Sequence, residues 1–210
     1  MSSCSRLLYS VAILMFCSVA VSSAAAAPAK RLPNLKTAVF AGGCFWGVDA
    51  VFKHVKGVAD VESGYSGGSA PTANYDMVST GSTGHAESVR VYFDPAQVSY
   101  RQLLEVFFSV AHDPTQLNRQ GPDSGSQYRS AVFYTSEEQQ KAAQDYMRQL
   151  TGARTYSSPI VTEAVPLHKF YPAEDYHQNY LALHPNQPYI VMFDMPKLEH
   201  LRNKFPSLYQ

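Results

Sequence analysis

The sequence predicts an α+β fold: a two-layer sandwich of a mixed β-sheet with packed helices, a split βαβ or ferredoxin-like core, and long functional loops. Three observations lead there. Short apolar or alternating runs at 37–41, 58–63, 86–93, 131–134 and 160–165 read as strands, and runs with helical spacing lie between them. Their order places two β-α-β groupings in series, which suits helices packed on a mixed sheet, with a plain doubly wound sheet as the alternative. The 17 Lys+Arg balance the 17 Asp+Glu in 210 residues, which suits one globular domain and supplies no basic excess to neutralise nucleic-acid phosphates.

The elements follow in chain order. Residues 1–27 carry a single charge, Arg6, then an apolar run from Leu7 to Val21, then Ser22, Ser23 and four alanines. This is the layout of a signal peptide cleaved near 24–27, giving an exported (periplasmic or secreted) protein of residues 28–210; the alternative is a membrane anchor through an uncleaved N-terminus. Thr37–Ala41 reads as a buried strand broken by Gly42-Gly43. A helix is expected over Cys44–Val55, with Phe45, Val48, Val51, Phe52 and Val55 on one stripe. Val58–Ser63 alternates as a strand, Gly64–Gly84 is a long polar loop, and Ala86–Phe93 is a strand closed by Asp94-Pro95. Ser99 and Gln102 form a capping box for a helix carrying Leu103, Leu104, Phe107, Phe108 and Ala111. A second loop, His112–Gln127, precedes the strand Ala131–Tyr134. Ser136 and Gln139 cap a helix ending near Gly152, Ile160–Val165 is a strand, Ala173–Leu183 a helix, and the tail from Pro185 holds short mixed elements. The long loops are expected to gather at one sheet edge.

The cysteines sharpen this. Cys4 and Cys17 leave with the signal peptide, so Cys44 is a lone thiol in an exported chain, where disulfides come in pairs. It follows a strand and a Gly-Gly turn that leaves space beside the sulfur, and it opens a helix, a position that lowers a thiol's pKa. Phe45 and Trp46 beside it are either core or a pocket wall. In the strand Ala86–Phe93, Glu87 leads a face that continues Val89, Val91, Phe93; burial there raises a carboxyl pKa and suits a general acid, unless the strand end simply reaches water. Tyr75 in the first loop, Asp123 in the second and Tyr128 directly after it are further polar candidates, since a Tyr hydroxyl can donate to a developing oxyanion. No Cys-x-x-Cys or His-Glu-x-x-His is present, and His85-Ala86-Glu87 lacks the Pro-Cys-x-x-Cys of zinc deaminases, so no metal is expected.

Gly43-Cys44-Phe45-Trp46-Gly47 resembles the signature of the class A peptide methionine sulfoxide reductases. Gly64–Gly68, Thr83–Glu87, His112–Gln116, Arg119–Asp123, Gly125–Ser130, Glu174–Gln178 and His184–Asn186 are similar to that family in the same order, from about Thr37 to the C-terminus. The resemblance implies a catalytic domain over 28–210 that reduces the S epimer of methionine sulfoxide, free or in proteins, so that oxidised proteins are its partners. Cys44 would attack the sulfoxide sulfur and become a sulfenic acid, Glu87 would protonate the leaving oxygen, and Tyr75 and Tyr128 would hydrogen-bond it. Asp123 would shape the substrate site, with Phe45 and Trp46 holding the S-methyl group. The family implies no bound cofactor. Where relatives carry resolving cysteines near the C-terminus, Met192–Gln210 has none, and Ser79 stands where some relatives have Cys. The chain thus resembles the single-cysteine members: a monomer whose sulfenic acid is met by an external thiol reductant, a thioredoxin-like protein or a small thiol. Two other classes remain open from the residues themselves: a Cys-His hydrolase with His168 or His177 as base, and an aromatic-rich peptide-binding domain.

Overall fold

A computed structural model describes residues 34–210; the predicted signal segment lies outside the described residues. Strand β1 (Lys36–Gly42) runs into α1 (Phe45–Lys53), β2 (Val58–Ser66), the short helix α2 (Tyr75–Val78) and β3 (Ala86–Phe93). Helix α3 (Tyr100–Val106) continues as a π-helical turn, Phe107–Ala111. Two-residue strands β4 (Arg119–Gln120) and β5 (Asp123–Ser124) and a 3₁₀ turn, Ser126–Tyr128, lead to β6 (Ser130–Tyr134) and α4 (Glu137–Gly152). Strands β7 (Glu163–Pro166) and β8 (Phe170–Pro172), a 3₁₀ turn at Asp175–His177, α5 (Tyr180–Leu183), a π-helical turn at Ile190–Asp194 and α6 (Met195–Lys204) complete the chain.

The main sheet has the order β7-β6-β1-β3-β2-β8. Strand β3 lies antiparallel between β1 and β2, β1 lies antiparallel between β3 and β6, and β7 pairs in parallel with β6. The four inner strands therefore form two interlocked split βαβ units, the ferredoxin-like arrangement the sequence predicted. Alternation along β1 sorts its side chains. Ala38 and Phe40 join the large core under the helices, while Val39 and Ala41 join a smaller cluster with Phe133 and Phe170 on the other face. Phe40 stacks on Phe52 of α1 at 5.1 Å and on Phe107 at 4.8 Å, so one aromatic column ties the central strand to both helical connections. The Ser99–Gln102 capping box is present in full, and Ser136 caps α4 through the Gln139 N–H.

Several boundaries differ from the sequence expectation. β2 continues to Ser66, because Gly64, Tyr65 and Ser66 pair with β3 on one side and β8 on the other. Strand β8 is too short to show a period. The strand expected at 160–165 is registered later, at Glu163–Pro166. The helix expected at 173–183 is two short pieces, since Asn179 takes a left-handed backbone (φ 55°) between them. The long loops gather at one end of the strands, not along an edge. That end holds the C-termini of β1 and β2 and the N-termini of β3 and β6.

Candidate active site

Strand register brings the chemistry together. Phe40 pairs with Val89, Gly42 with Ser130 and Tyr65 with Glu87, so the end of β1 lies level with the starts of β3 and β6. Gly43 then turns the chain at φ +90°, and a Cβ there would stand 2.5 Å from the Gln120 side chain. The glycine space is thus filled by Gln120, and not left beside the sulfur as the sequence suggested. Cys44 is the N-cap of α1 and is 8 % exposed. The first free N–H of that helix, on Phe45, donates to Glu87 Oε2 at 3.1 Å. Glu87 is 2 % exposed, so it does not reach water at a fraying strand end. Burial lifts its pKa from an ordinary 4.5 to about 8, against the opposing pull of the Phe45 N–H and with a smaller push from Asp123. At neutral pH the group is mainly the carboxylic acid.

The thiol departs from expectation. Burial, then Glu87, then Asp194 push the Cys44 pKa well above the ordinary thiol value, and the Trp46 N–H and Lys197 offset only part of this. A helix terminus stabilises a thiolate where water still reaches the sulfur; here the sulfur is desolvated and has two acidic side chains in its field.

Phe45 is fully buried, with its ring 5.9 Å from Tyr65 and 5.0 Å from His177. Trp46 is half-buried. Tyr180 stacks flat on it at 3.7 Å, and Tyr189 meets it edge-on at 6.1 Å. The half-buried Tyr75 and Tyr128 come from opposite loops. Both phenol pKa values are raised, by burial first and then by Glu87, with Cys44 among the further contributors. Asp123 accepts a hydrogen bond from Tyr189 Oη, and its pKa is raised by burial despite that bond and Lys197. All seven predicted site residues therefore converge on one end of the sheet.

Sequence reasoning assigned no role to the residues that brace this set. Glu174 accepts from Tyr65 Oη at 2.8 Å and from the Tyr75 backbone N–H at 2.9 Å. Gln178 pairs with both the N–H and the C=O of Ser63, each at 2.9 Å. Asp194, 1 % exposed, receives Lys197 Nζ at 3.0 Å, and this pair packs over Gly47, where a Cβ would lie 2.1 Å from Asp194 Oδ1. The run Glu174–Gln178 was visible as a motif, but nothing in its local pattern said what it would touch. His168 is exposed, and His177 Nδ1 is occupied by the Trp46 indole N–H while Nε2 finds no partner, so neither forms a Cys-His couple. Among the described residues no three His, Cys, Asp or Glu side chains gather as a metal-holding group.

Comparison with known proteins agrees with the geometry. A sequence profile described as "Peptide methionine sulfoxide reductase" matches residues 36–208. Peptide methionine sulfoxide reductase MsrA 2 of Mesorhizobium japonicum is 56% identical over 180 residues, covering 86% of this chain and 92% of the relative. The solved methionine sulfoxide reductase A of Corynebacterium diphtheriae is 35% identical with a TM-score of 0.65, covering 76% of this chain and 82% of its own. Reduced Mxr1 of Saccharomyces cerevisiae is 33% identical with a TM-score of 0.69, covering 73% and 87%. Mxr1 has also been solved in complex with Trx2 (TM-score 0.50, 25% identity, 70% of this chain and 84% of Mxr1). Fold and relatives define an oxidoreductase. The chain belongs to the peptide methionine sulfoxide reductase family, enzymes that return methionine sulfoxide to methionine.

Proposed function

We propose that the enzyme reduces the S epimer of methionine sulfoxide, free or in proteins, with Cys44 as nucleophile and Glu87 as the acid that protonates the sulfoxide oxygen. One observation supports this most strongly: Glu87 is a buried, largely protonated carboxyl, bonded to the first N–H of the helix that Cys44 caps. Tyr75 and Tyr128 hold the oxygen by their hydroxyls, Phe45 and Trp46 enclose the S-methyl group, and Asp123, braced by Tyr189, shapes the rim.

Proton delivery from Glu87 makes the sulfoxide sulfur electrophilic, and Cys44 attacks it. The oxygen passes to Cys44, which is oxidised by two electrons to the sulfenic acid as the sulfoxide is reduced to methionine. In the free enzyme both groups are neutral, so loss of the thiol proton is coupled to substrate binding, when the polarised S–O bond enters the site. A first external thiol then displaces water and forms a mixed disulfide on Cys44. A second thiol releases Cys44 and leaves the reductant as a disulfide. A thioredoxin-like protein suits that role, as the yeast relative's complex with Trx2 suggests; a small thiol is the alternative. The segment 1–27, with its apolar run and alanine-rich end, supports export and cleavage near 24–27, or anchoring to a membrane if uncleaved.

The test is a single turnover. Processed, reduced protein mixed with excess methionine sulfoxide and no reductant should yield about one methionine per chain and a dimedone-reactive sulfur, because one cysteine takes up one two-electron oxidation. Cys44→Ser should yield none. Two methionines per chain, or turnover in the serine variant, would overturn the scheme.

A further inference from the structure

On the reading of Tyr75 and Tyr128 as the two donors to the sulfoxide oxygen, on which this inference rests, we propose that Gln127 and Ser126 are positioning residues: they grip the carbonyls that follow α2 and so hold the Tyr75 hydroxyl opposite that of Tyr128. They act through Tyr75 and touch neither the substrate nor the reacting atoms.

Helix α2 has four residues, too few to hold itself in water. Its position is set from outside, at both ends. At the N-terminal end Glu174 Oε1 accepts the Tyr75 backbone N–H at 2.9 Å. Past the C-terminal end the second loop takes hold. Gln127 Nε2 donates to Ser79 O at 3.1 Å, and Ser126 Oγ donates to Gly81 O at 2.6 Å. Arg129 Nη2 adds a donor to Gly84 O at 3.0 Å. These carbonyls lie on the stretch that links Tyr75 to the strand of Glu87, and the donors of this clasp flank Tyr128 in the chain. Tyr75 is among the groups that raise the Tyr128 phenol pKa, after burial, Glu87 and Asp123, which places the two phenols in each other's field.

The gripping side is the firm one. The 3₁₀ turn Ser126–Tyr128 leads into β6, which is paired with β1 on one side and β7 on the other. Arg129 braces the turn by donating to Ser126 O at 3.0 Å and by pairing with Glu163 Oε2 of β7 at 3.4 Å. Gln127 is built into this arrangement. It is 4 % exposed, and a Cβ at Gly81 or Gly125 would stand 2.9 or 2.2 Å from its Oε1. Both glycines have positive φ (+75° and +134°), so the turn geometry and the close approach are met together. Oε1 finds no partner, so the amide contributes its donor alone. An apolar side chain of similar length would fill the space without burying an amide, so what Gln127 supplies is the bond to Ser79.

The experiment uses Gln127→Met, which keeps the length of the side chain and removes the donor. Hydrogen exchange followed by mass spectrometry, without substrate, reads the clasp: residues 75–84 should exchange roughly tenfold faster than in wild type, the size expected for one lost hydrogen bond, with β6 unchanged. Kinetics in three backgrounds tests the positioning. In the wild-type background kcat should fall less than about fivefold, since Tyr128 still donates, and KM should stay within about twofold, since Phe45 and Trp46 are undisturbed. In Tyr128→Phe, where Tyr75 is the remaining donor, the same substitution should cost a further factor of about ten or more in kcat. In Tyr75→Phe it should cost nothing further. A residue that only filled space would give the same factor in all three backgrounds. Equal factors, unchanged exchange over 75–84, or an effect confined to KM would each overturn the proposal. If Gln127→Met fails to fold, Ser126→Ala, which removes only the hydroxyl bond to Gly81, is read in the same backgrounds and should show the same pattern with smaller factors. A wild-type enzyme that left methionine sulfoxide untouched would instead overturn the functional reading, while exchange would still judge the clasp.

Discussion

The inner sheet and the C-terminal stretch from Phe170 to Lys204 reach the same site by different physical means. The sheet positions Cys44 and Glu87 through strand register: β1 and β3 are paired over five residues, and both groups sit where that pairing ends. Apolar side chains that are essentially fully buried hold it there, Phe40, Val89 and Val91 among them. The C-terminal stretch has short helices, π turns and a left-handed Asn179. It works through polar clamps: Glu174 on Tyr65 and Tyr75, His177 on Trp46, Gln178 on Ser63, Tyr189 on Asp123. The sheet thus fixes where the reacting atoms are, and the C-terminal stretch fixes how the walls around them are oriented. Changes in the first should act on chemistry, and changes in the second on binding and on the charge around the thiol.

The largest expected effect tests the sheet side. Glu87→Gln preserves shape and the bond to Phe45 but cannot donate a carboxylic proton. Rapid-mix assays of methionine release should show a loss of about 10²–10⁴-fold in the reduction step. Wild-type activity should fall as pH rises through about 8, as the acid form is lost, and the variant should lack that limb. Stability should also fall with rising pH, over a lower window. The folded-state pKa lies above the ordinary 4.5, so between about 4.5 and 8 the native state holds a proton that the unfolded chain has released, and wild-type stability declines across that window. The glutamine variant should therefore gain in denaturant midpoint relative to wild type at pH 9 more than at pH 5. A rate within twofold of wild type would reduce Glu87 to a structural part.

Next in size are the two tyrosines, one from each regime. Tyr75 is held by Glu174 of the C-terminal stretch, whereas Tyr128 ends the 3₁₀ turn that leads into β6. If both hydroxyls face the same oxygen, each can partly replace the other. Tyr75→Phe and Tyr128→Phe should each lose less than about fivefold in kcat, and the double variant about 10²–10³-fold, the scale of one lost oxyanion donor and more than the product of the two singles. Simple additivity of the two singles would mean that the hydroxyls act on different groups.

The same division explains what was legible in the sequence. Period-two alternation reported the burial of Glu87 and its strand neighbours, because one face of β3 is turned wholly into the core. The Gly-Gly-Cys turn was visible because only glycine takes φ +90° easily at Gly43. The Glu174–Gln178 clamp left no such trace. Its partners lie 99 to 131 residues away in the chain, and a 3₁₀ turn of three residues shows no period. The thiol pKa was misjudged for a related reason: the helix terminus is local and visible, while the desolvation and Asp194 come from tertiary packing.

That last point gives the smallest and most discriminating effect. Asp194 lies 150 residues after Cys44, in the C-terminal stretch, yet its carboxylate is the second of the two acidic groups that raise the thiol pKa; Lys197 opposes it. Iodoacetamide alkylation of the substrate-free enzyme should therefore have a pH midpoint above the roughly 8.5 of an unperturbed cysteine. Asp194→Asn removes a negative charge and also leaves Lys197 without its partner. Both changes favour the thiolate, so the midpoint should fall, while staying above that of an unperturbed thiol because desolvation and Glu87 are untouched. Lys197→Met should move it upward. Single-turnover methionine release should change far less than in Glu87→Gln, since Asp194 donates no proton to substrate in this scheme. A wild-type midpoint below about 8.5 would make the helix terminus the dominant influence on the sulfur after all, and an Asp194→Asn midpoint equal to wild type would separate the C-terminal stretch from the thiol's electrostatics.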